Sequence, residues 1–324
     1  MILALRALGV GDLATAVPAL RGLRAAFPAE TLSLAAPTWL GPLIATIGGI
    51  DRIVPAAGLE PLAGAPDRPR LAVNLHGRGP QSHRLLTALR PAELWAFATG
   101  SPDGPSCDGP FFDGPAWVAD EHEVTRWCRL MRWYGVPAKE SDLDLEVPDV
   151  DMPAGVTIVH PGAASPARRW PPERFASVAR RLADAGHHVR VTGSPAEHDL
   201  CVRVSELAGL PGAVIRTGLG ELAALVAAAR LVICGDTGIA HLATGYRTPS
   251  VVLFGPVSPE HWGPPADRAY HQVIWHGTHS GRGDLPGPVH PALLAVTEDD
   301  VLAAAEKARA AAVEKVRDAA AGKA

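Results

Sequence analysis

The chain has 324 residues, enough for two domains of about 150 residues each. An apolar content of 47% with 20% charged residues describes a globular chain with ample core, and a net charge of −4 gives no electrostatic case for nucleic acid. Cys107, Cys128, Cys201 and Cys234 form no CxxC pair, no apolar run reaches the roughly 18–20 residues that span a bilayer, and the start MILALRALGVGD has no basic leader, so reduced thiols and a cytoplasmic location are expected.

Ile2 to Leu8 is strand-like and runs into Gly9-Val10-Gly11-Asp12, after which Leu13, Val17, Leu20, Leu23 and Phe27 recur at helical spacing. GVGDLA fits the G-x-G-x-x-G/A dinucleotide fingerprint, which raises a nicotinamide-dependent oxidoreductase as one reading. That fingerprint also wants an acid about 20 residues on, at the end of the second strand. Here the second strand, Thr31 to Ala36, ends in Ala-Ala-Pro. Asp12 sits where ligands of open α/β sheets bind, available as a general base; the alternative is a first-turn acid that complements the helix dipole.

The α/β alternation continues with a helix at Trp39 to Ile47, a short strand at Arg52 to Val54, and a strand at Leu71 to Leu75. This last strand, containing Asn74, opens into a polar loop, His76-Gly77-Arg78-Gly79-Pro80, that would line a pocket or simply face solvent. Ser101 to Pro115, rich in Gly, Pro and Asp, reads as a loop. Glu121 to Tyr134 reads as a helix with Trp127, Leu130, Met131 and Tyr134 on a core-facing side. Asp142-Leu143-Asp144 is a literal D-x-D, but the alternation in DLDLEVP predicts a half-buried strand with its carboxylates in water. The proline-containing EVPDVDMPAG marks a boundary, giving domains 1–150 and 151–324.

In the second half, the strand Val156 to Val159 breaks into HPGAASPARRWP, where Arg168 and Arg169 offer guanidinium forks to phosphate oxygens or serve as surface charges beside Trp170. Strands follow at Val189 to Thr192 and Val214 to Arg216. Glu197, in the turn after the first of these, is a candidate acceptor of ribose hydroxyls or a first-turn acid. Leu231 to Cys234 is an apolar strand that breaks at Gly235-Asp236-Thr237-Gly238, and a helix then carries His241. A helix N-terminus at a carboxyl sheet edge favours an anion, phosphate above all; an ordinary N-capped turn is the bland alternative. Ser250 to Phe254 is the next strand. His276, His279 and His290 lack metal-site spacing, and no Walker A or G-x-S-x-G elbow occurs. Ala303 to Lys323, rich in Ala, Glu, Lys and Arg, is a helix expected to pack across the domains or to fray at its end.

Three blocks, LGVGDLATAVPALRGLRAAFP (8–28), VHPGAASPARRWPPERFASVARRL (159–182) and CGDTGIAHLATGYRTPSVVLFGPVSPEHWGP (234–264), together resemble glycosyltransferase family 9, the family of the ADP-heptose:lipopolysaccharide heptosyltransferases. The resemblance implies a GT-B architecture: two Rossmann-like, doubly wound α/β domains facing a central cleft, acceptor on the N-terminal domain and nucleotide sugar on the C-terminal one. It implies inverting, metal-independent transfer with no cofactor from a nucleotide-sugar donor such as ADP-heptose to a glycan or lipid-linked acceptor, which would bring the protein to the inner face of the membrane. Position by position it assigns Asp12 as the base, and Arg168, Arg169, Glu197, Asp236, Thr237, Gly238 and His241 as donor-binding. Gly11, Asn74, His76 and Arg78 fall on the acceptor side. A nucleotide-sugar-binding protein or an epimerase on the same scaffold is the competing reading.

Overall fold

A computed structural model describes residues 1–98, 113–277 and 287–321; most of the Ser101–Pro115 loop, with Cys107, and His279 lie outside them. The chain divides into two compact units, Met1–Glu146 and Val147–Ala324. Among the described residues each unit is built on one five-stranded, wholly parallel sheet.

The first sheet contains β1 (Ile2–Leu5), β2 (Leu32–Ala36), β3 (Arg52–Pro55), β4 (Leu71–Asn74) and β5 (Glu93–Trp95), in the order β3-β2-β1-β4-β5. Its helices are α1 (Val10–Thr15), α2 (Val17–Ala26), α3 (Gly41–Ile47), α4 (Gln81–Thr87) and α5 (Glu123–Trp133). The central strands ILAL, LSLAA and LAVN are buried at every position, as parallel strands covered on both faces must be. On α5, Trp127, Leu130 and Met131 are buried as the spacing predicts. The D-x-D segment is a correction: Leu143 and Leu145 are buried, but no strand forms there, and Asp142 pairs with Arg21 at 2.6 Å.

The second sheet contains β6 (Thr157–His160), β7 (Val189–Val191), β8 (Leu231–Gly235), β9 (Ser250–Leu253) and β10 (His271–Ile274), in the order β10-β9-β8-β6-β7. Its helices are α6 (Pro172–Asp184), α7 (His198–Leu207), α8 (Leu219–Ala228), α9 (Gly238–Gly245), α10 (Pro259–Trp262), α11 (Pro291–Leu294) and α12 (Glu298–Ala321). Val214 to Arg216 is not a strand: Val214 touches the sheet through a single bridge to Val191, and the fifth strand is supplied by β10. The long helix α12 buries Val301, Ala304, Ala305 and Ala308 in the core of its own unit, beneath β8 and β9. Among the described residues no helix is long and apolar enough to cross a membrane.

Buried histidines make this fold acid-sensitive. Burial pushes His83 and His160 down to about 4, and burial with the nearby charges of Arg268 and Lys315 pushes His271 down to about 3. In the unfolded chain these imidazoles take up protons near pH 6.5, whereas in the folded chain they stay neutral until well below pH 5. Stability is therefore untouched above pH 6.5 and falls as the pH drops from there toward 4, by roughly 2 kcal/mol per histidine at pH 5. Urea unfolding at pH 7.5 and 5 should show a loss of several kcal/mol; equal midpoints would contradict the neutral, buried assignment.

Candidate functional site

Each sheet has one switch point, where adjacent strands send their chains to opposite sides and leave a crevice outside their carboxyl ends. In the first unit the switch lies between β1 and β4, and in the second between β6 and β8. The sequence-selected residues of each unit gather at these two places.

In the N-terminal unit the loop after β1 carries Arg6 and Gly9, and the first turn of α1 carries Gly11 and Asp12. Asp12 does the work of a first-turn acid, since Oδ2 accepts from the Gly9 N–H at 3.2 Å at the start of α1. Its other oxygen faces Arg6 Nη2 at 3.4 Å, and the carboxylate is still 31% exposed. The two roles read from the sequence are thus compatible: one oxygen orients the group, and an accessible edge remains.

Arg6 is the residue sequence reasoning passed over. Its side chain is 1% exposed and sits at the end of an otherwise apolar strand. It donates to the backbone carbonyls of Asp12 and Leu75 and to Thr15 Oγ1, so one guanidinium ties the β1 loop to the end of β4. The ring of Trp127 lies 4.6 Å from its Cζ, and Glu123 Oε2 is 4.0 Å away. A single charge inside ILALRAL was the available signal, because a buried guanidinium is kept only where several acceptors meet it.

Across the switch point, Asn74 is fully buried and its amide is committed: Nδ2 donates to Gly77 O at 3.1 Å and Ser82 Oγ at 2.9 Å, and Oδ1 accepts from His76 N at 3.0 Å. It shapes the loop from within, which gives this side chain a positioning role for the loop that carries His76 and Arg78. His76 is half-buried, and its Nδ1 accepts from the Ala7 N–H at 3.3 Å. Burial first, then Arg6, lowers its pKa, with Asp12 acting the other way. Arg78 is exposed.

In the C-terminal unit the loops after β6 and β8 meet at close range. A Cβ built on Gly235 would stand 3.1 Å from the carbonyl of Arg168, so only a glycine permits this approach without adjustment. Arg168 ends a short 3-10 turn, Pro166–Arg168, and its Nη1 lies 3.1 Å from Asp236 Oδ2. Arg169 is turned back by a bond from Nε to Ala163 O at 2.8 Å, and the loop is anchored by buried Trp170, packed edge-on to Phe175 at 5.0 Å.

Asp236 is buried, and its N–H continues the ladder to Leu253 O at 3.1 Å. Thr237 N-caps α9 in an extended conformation with no side-chain cap bond, so the turn's leading N–H groups, Gly238 included, are left to bind something else. His241 follows in the first full turn, edge-on to Trp262 at 6.0 Å.

Glu197 lies at the same carboxyl edge, beyond β7. It closes a capping box on Ser194, accepting from N and Oγ at 2.8 Å each. A Cβ on Gly162 would come within 2.3 Å of its carboxylate, so that glycine makes room for it; this was not singled out in the sequence. Buried His160, hydrogen-bonded to Thr192 Oγ1 at 2.9 Å, lies alongside. The structure therefore brings Arg168 into contact with Asp236 and places Glu197 beyond the neighbouring strand end, so guanidinium donors and carboxylate acceptors share one crevice.

Comparison with known proteins adds a family to this geometry. The sequence model of glycosyltransferase family 9 (heptosyltransferase) matches residues 116–282, just over half of the chain. Lipopolysaccharide heptosyltransferase 2 of Salmonella typhimurium is 24% identical over 326 residues, covering 90% of this chain and 94% of the relative, and the Escherichia coli protein of the same name has the same identity and coverage. Among solved structures, E. coli ADP-heptose lps heptosyltransferase II is similar with a TM-score of 0.72 at 22% identity, over 95% of this chain and 98% of that one. E. coli heptosyltransferase WaaC with ADP has a TM-score of 0.69 at 18% identity, over 95% and 99%. These structures share the fold, two parallel-sheet α/β domains of the GT-B kind.

Proposed function

Because the chain belongs to glycosyltransferase family 9 and is a glycosyltransferase, we propose that it moves a heptose-like sugar, with inversion, from a nucleoside diphosphate to a hydroxyl of a glycan or lipid-linked acceptor. The observation that carries this reading is the Arg168–Asp236 pair, set across a switch point at an uncapped helix start. Further support comes from relatives named for lipopolysaccharide heptosyl transfer and from a similar structure described with ADP.

In this mechanism the acceptor hydroxyl is presented at the loops after β1 and β4 and loses its proton to Asp12. Its oxygen attacks the anomeric carbon as the bond to the diphosphate oxygen breaks on the opposite face. The departing diphosphate gains charge, and Arg168, Arg169 and the N–H groups at Thr237 and Gly238 oppose it without a divalent ion. His241 donates as a neutral imidazole, the form favoured near a helix N-terminus. Glu197 holds the ribose hydroxyls. The C-terminal unit is in this reading the donor domain and the N-terminal unit the acceptor domain.

The test is calorimetric titration of ADP, UDP and NADH without divalent metal, followed by transfer from ADP-heptose and NMR of the product anomer. ADP should bind saturably, and Arg168→Ala should weaken it by roughly 10- to 100-fold, the worth of a charged hydrogen bond. Preferential NADH binding, or a product that retains the donor's anomeric configuration, would overturn the reading.

Gly162→Ala isolates Glu197. The new methyl group would press on the far end of a flexible side chain, so the cost in stability stays within about 1 kcal/mol while the carboxylate is displaced. ADP affinity should drop at least several-fold with the melting temperature nearly unchanged. If affinity holds while Glu197→Gln lowers it, the carboxylate has found a second productive position.

A further inference from the structure

At the opposite, amino edge of the second sheet lies an open groove of about 620 Å³ under the outer half of α12, lined by Arg230, Arg309, Arg317, Pro249, Ala312 and Val313. Arg230 immediately precedes β8 and Pro249 immediately precedes β9, so the groove is separated from Asp236 by the length of a strand, roughly 17 Å at about 3.3 Å per residue.

Three guanidinium groups converge here against one carboxylate, Glu306. Among the described residues none of the three arginines forms an ion pair, although the protein as a whole is acidic. Arg309 instead donates to Nε2 of His187 at 3.2 Å, and His187 Nδ1 bonds Thr157 Oγ1 at 2.8 Å, so the imidazole is spent as a neutral acceptor and neutralises nothing. Partial burial first, then the facing charge of Arg230, lowers the pKa of Arg309, with Glu306 acting the other way.

Such an arrangement is relieved by an anion, and guanidinium forks match phosphate oxygens better than any other common anion except carboxylate. The floor is apolar: Pro249, Ala310, Ala312 and Val313, the last 62% exposed. A bare phosphate would fill only the cationic part. We propose that this groove is a second anion-binding site, taking a phosphate group carried on an apolar body, remote from the donor turn and independent of the transfer reaction assigned above.

Two sources share this chemistry, the headgroup of an anionic phospholipid and a soluble phosphate compound, and the experiment separates them. Wild type and the Arg230→Gln/Arg317→Gln double variant are titrated with pyrophosphate by calorimetry, each also in an Arg168→Ala background that silences the donor turn. The same proteins are sedimented with phosphatidylglycerol–phosphatidylcholine vesicles and with phosphatidylcholine alone. The double variant keeps the Arg309–His187 bond, and circular dichroism and melting check that it folds. We expect binding that survives Arg168→Ala and weakens roughly tenfold or more in the double variant. Loss confined to the vesicles assigns a lipid headgroup; loss confined to pyrophosphate assigns a soluble ligand. If neither probe binds, or the folded double variant binds both as well as wild type, the site does not exist.

Discussion

Asp12→Asn is expected to lower transfer by roughly 10²–10⁴-fold, the usual worth of a general base, while ADP affinity stays within about twofold. The substitution is nearly isosteric, but an amide has one acceptor where the carboxylate has two. If the amide oxygen keeps the Gly9 N–H bond, its NH₂ is left against the Arg6 guanidinium, donor against donor; if it turns, the helix loses its cap. Either outcome costs about 1 kcal/mol of stability, too little to explain the activity loss. Steady-state kinetics with ADP-heptose, beside ADP calorimetry and thermal melting, provide the check. Full activity in Asp12→Asn would remove Asp12 from the chemistry and leave it as a helix acid.

The second large effect is on Arg6. Arg6→Met leaves the Leu75 carbonyl and Thr15 hydroxyl short of a donor, drops the contact with Trp127 and frees the Asp12 carboxylate. Breaking a buried charge network by removing one member costs about 3–5 kcal/mol, and Asp12's partial exposure puts this case at the lower end. Burial itself lowers the pKa of Arg6, so the surrounding acceptors are what keep it there. Activity should fall at least tenfold below the melting temperature, through kcat and not through the KM for donor. Arg6→Lys should recover part of the charge effect but little of the stability, because one ammonium cannot span acceptors on two strand ends. Urea unfolding and kcat measured on the same preparations decide it. A variant that is destabilised yet turns over normally would reduce Arg6 to a structural brace.

How far the sequence could be read follows from where each strand lies. The six inner strands announce themselves as continuous apolar runs, because both faces are covered; ILAL and LVICG leave no other interpretation. The edge strands Glu93–Trp95 and His271–Ile274 were not identified, because half of each faces water and the composition is mixed. DLDLEV shows the converse error: alternate burial is genuine there, but among the described residues the segment pairs with no strand. The turns holding Asp12, Arg168 and Asp236 were legible because glycine and proline punctuate them. That Arg168 meets Asp236 was not, since the two are 68 residues apart and only the strand order makes their loops adjacent.

The division at Glu146 is also a division in time. Every strand of the first sheet is encoded before it, and the 178 residues from Val147 to Ala324 take roughly 9–36 s to synthesise at about 5–20 residues per second. Domain-scale folding is far faster than that, so the N-terminal unit can assemble while the rest is still being made. The second sheet closes in stages: β10 is translated after β6 to β9 and α12 after β10, and until β10 emerges β9 is an open edge exposed to other nascent chains.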